Sequence, residues 1–201
     1  MVRTALACDH PFALHYPRDP GLGVPERPPV PLPIGRGEVL REGADILLVG
    51  FGPIVARATE VAELLAARGI SAALVNARFA KPLDRELILE QARGKRLLVT
   101  LEESTVAGGF GAAVLAAIEE ARLVDPACRD LVVRLVGIPP DRFVDHGEVS
   151  ALRRQLRLDV SGIAAQVTEA IERLDDQAGA GRPAAPVAAD AAVRHGRRGS
   201  F

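Results

Sequence analysis

The sequence predicts an α/β domain in which helices cover both faces of a mostly parallel sheet of about five strands, a three-layer α/β/α arrangement. Short, continuous apolar runs alternate with segments whose apolar residues recur at helical spacing. Aromatic residues make up only 3% of the chain and tryptophan is absent, so the core must be aliphatic, as suits a sheet that is buried on both faces. Glycine and proline residues stand between the runs, where the chain has to turn.

The strands are predicted from apolar runs that are too short for helices. Ile46–Gly50 is the clearest, because five consecutive apolar or small residues are typical of a strand buried on both faces. The predicted strands are Glu38–Arg41, Ile46–Gly50, Ser71–Ala77, Arg96–Leu101 and Leu131–Val136.

The helices are predicted between and after these strands. Pro53 suits the first position of a helix because its φ angle is fixed, and Gly69 suits the end of the same segment. Asp84 is expected to cap the next helix with its side chain. The predicted helical segments are Pro53–Gly69, Asp84–Gly94, Gly108–Arg122, Ser150–Leu156 and Ser161–Leu174.

The two ends of the chain follow a different pattern. Residues 1–18 combine a short helix at Val2–Ala7 with a single strand at Phe12–Tyr16, which we interpret as the remnant of a preceding domain. Residues 19–35 are rich in proline and predict a stiff linker. The domain itself is expected to span residues 36–175. Residues 176–201 lack apolar periodicity and predict a disordered tail.

Composition excludes several classes of partner and site. The net charge of -1 gives no electrostatic reason for binding nucleic acid or an anionic membrane. No apolar run reaches the roughly 20 residues that span a bilayer. The only cysteines, Cys8 and Cys128, are far apart, so neither a disulfide framework nor a zinc site is expected. We therefore expect a cytoplasmic protein without membrane or nucleic-acid partners.

The segment Gly50–Pro53 lies between a strand and a helix, where a dinucleotide phosphate binds in many α/β domains. The match is poor, because Val55 stands where a third glycine is expected and no acidic residue follows the next strand. Tight packing between strand and helix is the favoured interpretation.

Glu102 and Glu103, followed by the glycines of Gly108–Gly111, form the most pointed local pattern. One interpretation makes a glutamate a general acid or base beside an anion-binding loop. The other has the carboxylates accept hydrogen bonds at the carboxyl edge of the sheet while the glycines allow another subunit's backbone to approach. Both remain open from the residues alone. His146 lies in a charged loop, where a structural role is more common than catalysis.

Several segments together resemble 1-deoxy-D-xylulose-5-phosphate synthases, enzymes of the transketolase type. The resemblance covers roughly residues 1–174, and Asn76 stands where these enzymes have aspartate. The segments that carry it are Tyr16–Arg18, Pro33–Gly37, Leu40–Gly43, Asn76–Asp84, Glu102–Gly111, Asp141–Gly147 and Leu158–Ile163.

The resemblance implies a transketolase C-terminal domain, part of a thiamine-diphosphate-dependent transferase that joins pyruvate to glyceraldehyde 3-phosphate for isoprenoid, thiamine and pyridoxal synthesis. In that family the thiamine diphosphate and Mg²⁺ are held by an N-terminal domain and a pyrimidine-binding domain, neither of which this sequence contains. The complete enzyme is expected to be a homodimer. The chain alone is expected to be inactive and to bind neither cofactor nor metal.

The resemblance assigns one active-site residue to this chain. Arg18 matches an arginine that binds the phosphate of glyceraldehyde 3-phosphate, a role that suits the two-pronged guanidinium. Two alternatives to a synthase C-terminal domain remain. The chain could be a stand-alone assembly or regulatory module, or a fragment of a 2-oxoacid dehydrogenase β subunit.

Overall fold

A computed structural model describes residues 1–17 and 28–180, the side chains of residues 178–180 excepted. The strands, β1 to β5 in chain order, are Glu38–Arg41, Ile46–Gly50, Ala72–Asn76, Leu97–Thr105 and Val132–Ile138. The helices, α1 to α6, are Val2–Leu6, Ile54–Ala66, Arg85–Ala92, Phe110–Arg122, Val149–Gln155 and Val160–Ala180, and a 3₁₀ turn spans Pro126–Cys128.

The five strands form one sheet in the order β1-β3-β2-β4-β5. Strands β2, β3, β4 and β5 are parallel, and only β1 is antiparallel to its neighbour β3. The predicted class, a mostly parallel sheet of about five strands inside a three-layer domain, is therefore confirmed.

Two apolar cores lie on the opposite faces of this sheet. Alternate side chains of β2 point to opposite sides, because successive residues of a strand face in opposite directions. Leu48 belongs to the core that includes α2 and α6, whereas Leu47 belongs to the core that includes α3 and α4. All five residues of β2 are buried, as the continuous apolar run predicts.

Local signals place most helix ends correctly. Asp84 caps α3 by accepting a hydrogen bond from the Leu87 backbone N–H at 3.2 Å, as predicted. Pro53 occupies the position just before α2 rather than its first turn. Gly69 follows α2 with a φ of +78°, a conformation that favours glycine.

The amino-terminal segment differs from the prediction. Residues Phe12–Tyr16 have no strand conformation, and the predicted short strand there is wrong. A strand needs a partner to accept its hydrogen bonds, and no described strand pairs with this segment. The ring of Phe12 instead packs edge-on against Phe79, with the ring centroids 6.4 Å apart.

Two elements are longer than their patterns indicate. Strand β4 continues to Thr105, past the predicted end at Leu101, and α6 continues to Ala180, past the predicted end of the domain. Arg96 pairs with Asp175, the first residue of α6 past the predicted helix end at Leu174. Residues 176–180, at the start of the predicted tail, are part of α6, and residues 181–201 lie outside the described residues.

Candidate functional site

The motifs of the sequence converge on one edge of the sheet. Strands β2, β3, β4 and β5 are parallel, so their carboxyl ends lie together, and we call this side of the domain the carboxyl edge. In open α/β sheets ligands bind outside the carboxyl ends of the strands. The loops that meet there are Phe51–Pro53, Ala77–Asp84, Val106–Gly109 and Pro139–Glu148.

Glu102 is a buried carboxylate beneath the start of α4. Its side chain is 0% exposed. It accepts hydrogen bonds from the backbone N–H groups of Phe110 and Gly111, both at 2.8 Å, and from the Ser104 hydroxyl. The first N–H groups of a helix have no partner within the helix, and an anion there also complements the helix dipole. Glu102 therefore caps α4 from the neighbouring strand.

The glycines around Glu102 make this cap possible. A Cβ atom at Gly109 would lie 2.1 Å from the Thr105 carbonyl oxygen and 2.3 Å from Glu102 Oε2. One at Gly111 would lie 2.5 Å from Thr100 Oγ1. The close approach that the glycines allow is thus between segments of this chain. A fully buried and fully bonded Glu102 has a structural role, and the acid-base interpretation does not fit it.

Glu103 follows Glu102 on β4 but faces the other side of the sheet. Its carboxylate pairs with Arg57 of α2 and with Arg153 of α5, the latter through Nε at 2.7 Å and Nη2 at 3.4 Å. All three side chains are mostly buried, with exposures of 24% for Glu103, 17% for Arg57 and 19% for Arg153. This ion cluster connects the end of β4 to two helices.

The electrostatic environment keeps Glu103 ionised. Burial acts to raise its pKa, but hydrogen bonds and charge attraction from Arg153 and Arg57 outweigh burial, so that the net pKa lies below its ordinary value. The two adjacent glutamates thus point to opposite faces and do not form a pair of carboxylates. Neither Arg57 nor Arg153 was singled out from the sequence, because they lie 46 and 50 positions away from Glu103.

A second set of contacts joins the start of the domain to the loop after β3. The Asp84 carboxylate accepts hydrogen bonds from the Gly37 backbone N–H at 2.9 Å and from Arg36 at 3.4 Å, in addition to capping α3. Gly35 has a φ of +72°, and a Cβ atom there would lie 2.8 Å from Pro82 Cγ. The first residues of the domain are therefore fixed against this loop.

The fit of strand and helix explains the Gly50–Pro53 pattern. A Cβ atom at Gly50 would lie 2.8 Å from Val55 Cγ2. The ring of Phe51 stacks on Phe110, with centroids 5.1 Å apart. These contacts support the interpretation of tight packing over that of a nucleotide site.

The loop that contains His146 lies on the surface. His146 itself is exposed, and Phe143 in the same loop is 89% exposed. Helix α5, which follows the loop, has no buried residue. No residue of Pro139–Glu148 belongs to either apolar core.

Arg18, the predicted phosphate-binding residue, lies outside the described residues, and its role stays a prediction. Within residues 1–17 and 28–180 no group of three or more His, Cys, Asp or Glu side chains could hold a metal ion. In the same part of the chain no helix is long and apolar enough to cross a membrane.

Comparison with known proteins agrees with the segments noted above. The family described as "Transketolase, C-terminal domain" matches residues 35–163. The chain is 49% identical over 168 residues to 1-deoxy-D-xylulose-5-phosphate synthase of Thermomicrobium roseum, covering 83% of this chain and 26% of that protein. It is 48% identical over 165 residues to the enzyme of the same name from Heliobacterium modesticaldum, covering 82% of this chain and 24% of that protein.

A solved structure shares both fold and sequence with the chain. The structure described as "Split gene transketolase, inactive beta4 tetramer" superposes with a TM-score of 0.62 and is 38% identical, covering 75% of this chain and 46% of the other. The chain spans about a quarter of the length of the curated relatives it matches. It belongs to the transketolase C-terminal domain family, and its sequence corresponds to the carboxy-terminal quarter of 1-deoxy-D-xylulose-5-phosphate synthases.

Proposed function

We propose that this chain acts as the carboxy-terminal domain of a 1-deoxy-D-xylulose-5-phosphate synthase. The observation that carries the proposal is the 49% identity over 168 residues to a synthase of that name. The complete enzyme would condense pyruvate with glyceraldehyde 3-phosphate and release carbon dioxide. The N-terminal and pyrimidine-binding domains, in the same chain or in a separate one, would supply the thiamine diphosphate and magnesium site, and the assembly would be a cytoplasmic homodimer.

The contribution of this domain would be assembly and part of the substrate-phosphate site. Glu102 is buried and Glu103 is mostly buried, and the carboxylates of both are bonded within the domain, so they serve to stabilise the carboxyl edge. Arg18 is the residue proposed to bind the phosphate of glyceraldehyde 3-phosphate. On this proposal the chain alone makes no product.

A chimeric enzyme tests the proposal directly. The segment of the Thermomicrobium roseum relative that matches this chain is replaced by residues 1–180, and formation of 1-deoxy-D-xylulose 5-phosphate is measured with thiamine diphosphate and Mg²⁺ present. We expect an active chimera. The control carries in the same place the C-terminal domain of a transketolase, and we expect it to be inactive. An inactive chimera beside an active parent enzyme would contradict the proposal.

The same chimera tests Arg18. Replacing Arg18 by Ala removes the bidentate partner of the phosphate, so kcat/KM for glyceraldehyde 3-phosphate should fall by about ten- to a hundredfold. The kinetics of pyruvate, which has no phosphate, should change little. Lysine at the same position should recover part of the loss, because it keeps the positive charge but lacks the planar guanidinium that binds phosphate through two hydrogen bonds. An equal fall in kcat/KM for both substrates would point to misfolding. An unchanged kcat/KM for both would mean that Arg18 does not bind the phosphate.

A further inference from the structure

The chain enters the domain at the carboxyl edge. Strand β1 begins at Glu38, which is paired with Asn76 at the carboxyl end of β3. Thr4 is buried and holds Leu32 through a hydrogen bond from the Leu32 backbone N–H at 2.8 Å. The ring of Phe12 packs against Phe79, in the loop just after β3. Whatever precedes this domain in its relatives is therefore connected to the carboxyl edge.

A second feature of the same edge is the exposed loop Pro139–Glu148 at the end of β5. Phe143 in this loop is 89% exposed, the largest exposed fraction among the large apolar side chains of the described residues. The loop has no regular structure, and Val149, which follows it, is also exposed at 39%. An aromatic side chain in this position adds nothing to the core of this domain, whereas aromatic residues that fill a pocket of a partner dominate many interfaces.

The loop is nevertheless anchored at its far end. Glu148 caps α5 by accepting a hydrogen bond from the Ala151 backbone N–H at 2.9 Å. Arg153 of α5 binds Glu103, and Leu156, just after α5, packs against the core on the α2 and α6 face. A fixed α5 restricts where the loop can lie, which reduces the entropy lost when the loop is bound.

We infer that the carboxyl edge is the face on which the preceding domains of the complete enzyme dock, with Phe143 as an apolar anchor of that contact. The inference rests on the proposed function. The occupant follows from the chain path: the segment that leads into β1 and the exposed Phe143 lie on the same edge, and the matched relatives are about four times as long as the segment they share with this chain.

Hydrogen exchange in the active chimera tests the inference. The backbone amides of residues 142–147 should exchange about tenfold or more slowly in the chimera than in the isolated full chain, because docking would bury the loop. Replacing Phe143 by Ser should remove most of this protection, and replacing it by Leu should keep most of it. Thermal unfolding of the isolated variants should match that of the unmodified chain, since the side chain is outside the core.

Leu123 provides the matched control. It is 86% exposed, similar to Phe143, but it lies just after α4, where the chain returns to the amino ends of the strands. Replacing Leu123 by Ser should leave the exchange of residues 142–147 unchanged. An equal loss of protection in the Leu123 variant would overturn the anchor role of Phe143.

Two further results would overturn the inference, and each is separable from the fate of the proposed function. In an active chimera, fast exchange of residues 142–147 would show that the loop does not dock, while the proposed function would stand. In the isolated chain, protection of the loop amides that grows with protein concentration would assign Phe143 to a contact between copies of the chain. An inactive chimera beside an active parent would remove the proposed function and, with it, this inference.

Discussion

Two adjacent glutamates on β4 belong to two regions of the domain that are stabilised by different kinds of contact. Glu102 lies on the α4 face and is held by backbone N–H groups a few residues along the chain, at positions 110 and 111. Glu103 lies on the α2 face and is held by side chains of two distant helices. The first carboxylate organises a local turn of backbone, whereas the second joins elements that are remote in sequence. A shift of one residue along a strand therefore changes both the partners and the role of the same chemical group.

The largest expected effect comes from removing the Glu102 carboxylate. In the Glu102→Ala variant, two buried N–H groups lose their acceptor at a cost of about 1–3 kcal/mol each, so the free energy of unfolding should fall by about 4 kcal/mol. Urea unfolding followed by circular dichroism measures it. Glu102→Gln, which keeps one acceptor oxygen, should lose less. A loss below about 1 kcal/mol in the alanine variant would mean that solvent replaces the carboxylate and that Glu102 is not a structural cap.

A smaller loss is expected when the backbone around Glu102 is crowded. At Gly109 the added methyl of alanine would meet the Thr105 carbonyl oxygen at 2.1 Å, so the Gly109→Ala variant should be destabilised by about 3 kcal/mol. Gly94 is the matched control: its φ is +73°, but no atom lies within 4 Å of the added methyl. Gly94→Ala should cost only about 1 kcal/mol, the strain of a left-handed alanine. Thermal melts of both variants show which one loses more stability. A larger loss for Gly94→Ala would mean that the segment at Gly109 moves aside to accommodate the methyl group.

Most of the fold follows from local signals in the sequence. The apolar run of β2 and the capping residue Asp84 each depend on residues within a few positions, and the structure bears both out. The segment Phe12–Tyr16 was predicted as a strand from its own residues, but a strand also requires a neighbour, which no local pattern supplies. The family resemblance, by contrast, was readable directly from the motifs.

The site was only partly predictable for the same reason. The predicted strand ends at Leu101, whereas β4 continues to Thr105, so the alternation along the strand that sends Glu102 and Glu103 to opposite faces lies outside the prediction. The partners of Glu103 belong to helices far away in the sequence, and only the packing of α2 and α5 against β4 reveals them. Exposure of Phe143 is likewise a property of the folded chain and not of its sequence motif.

The smallest effect, and the one that depends on pH, is expected at Glu103. Because the pKa of Glu103 is lowered in the folded state, its carboxylate stabilises the fold above the unfolded pKa of about 4.5, and this contribution is lost as the pH falls through the folded pKa.

At neutral pH the Glu103→Gln variant should be less stable than the unmodified chain by about 1–2 kcal/mol, since charge-assisted hydrogen bonds to Arg153 and Arg57 are weakened. The difference should shrink as the pH falls from about 4.5, the ordinary pKa, through the lower pKa of the folded state, because protonation then neutralises Glu103 in the unmodified chain as well. Urea unfolding across this pH range measures it, with Glu120→Gln as the control, because Glu120 forms an exposed pair with Arg85 and such pairs contribute little. A difference that stays constant with pH would mean that Glu103 acts through packing and not through its charge.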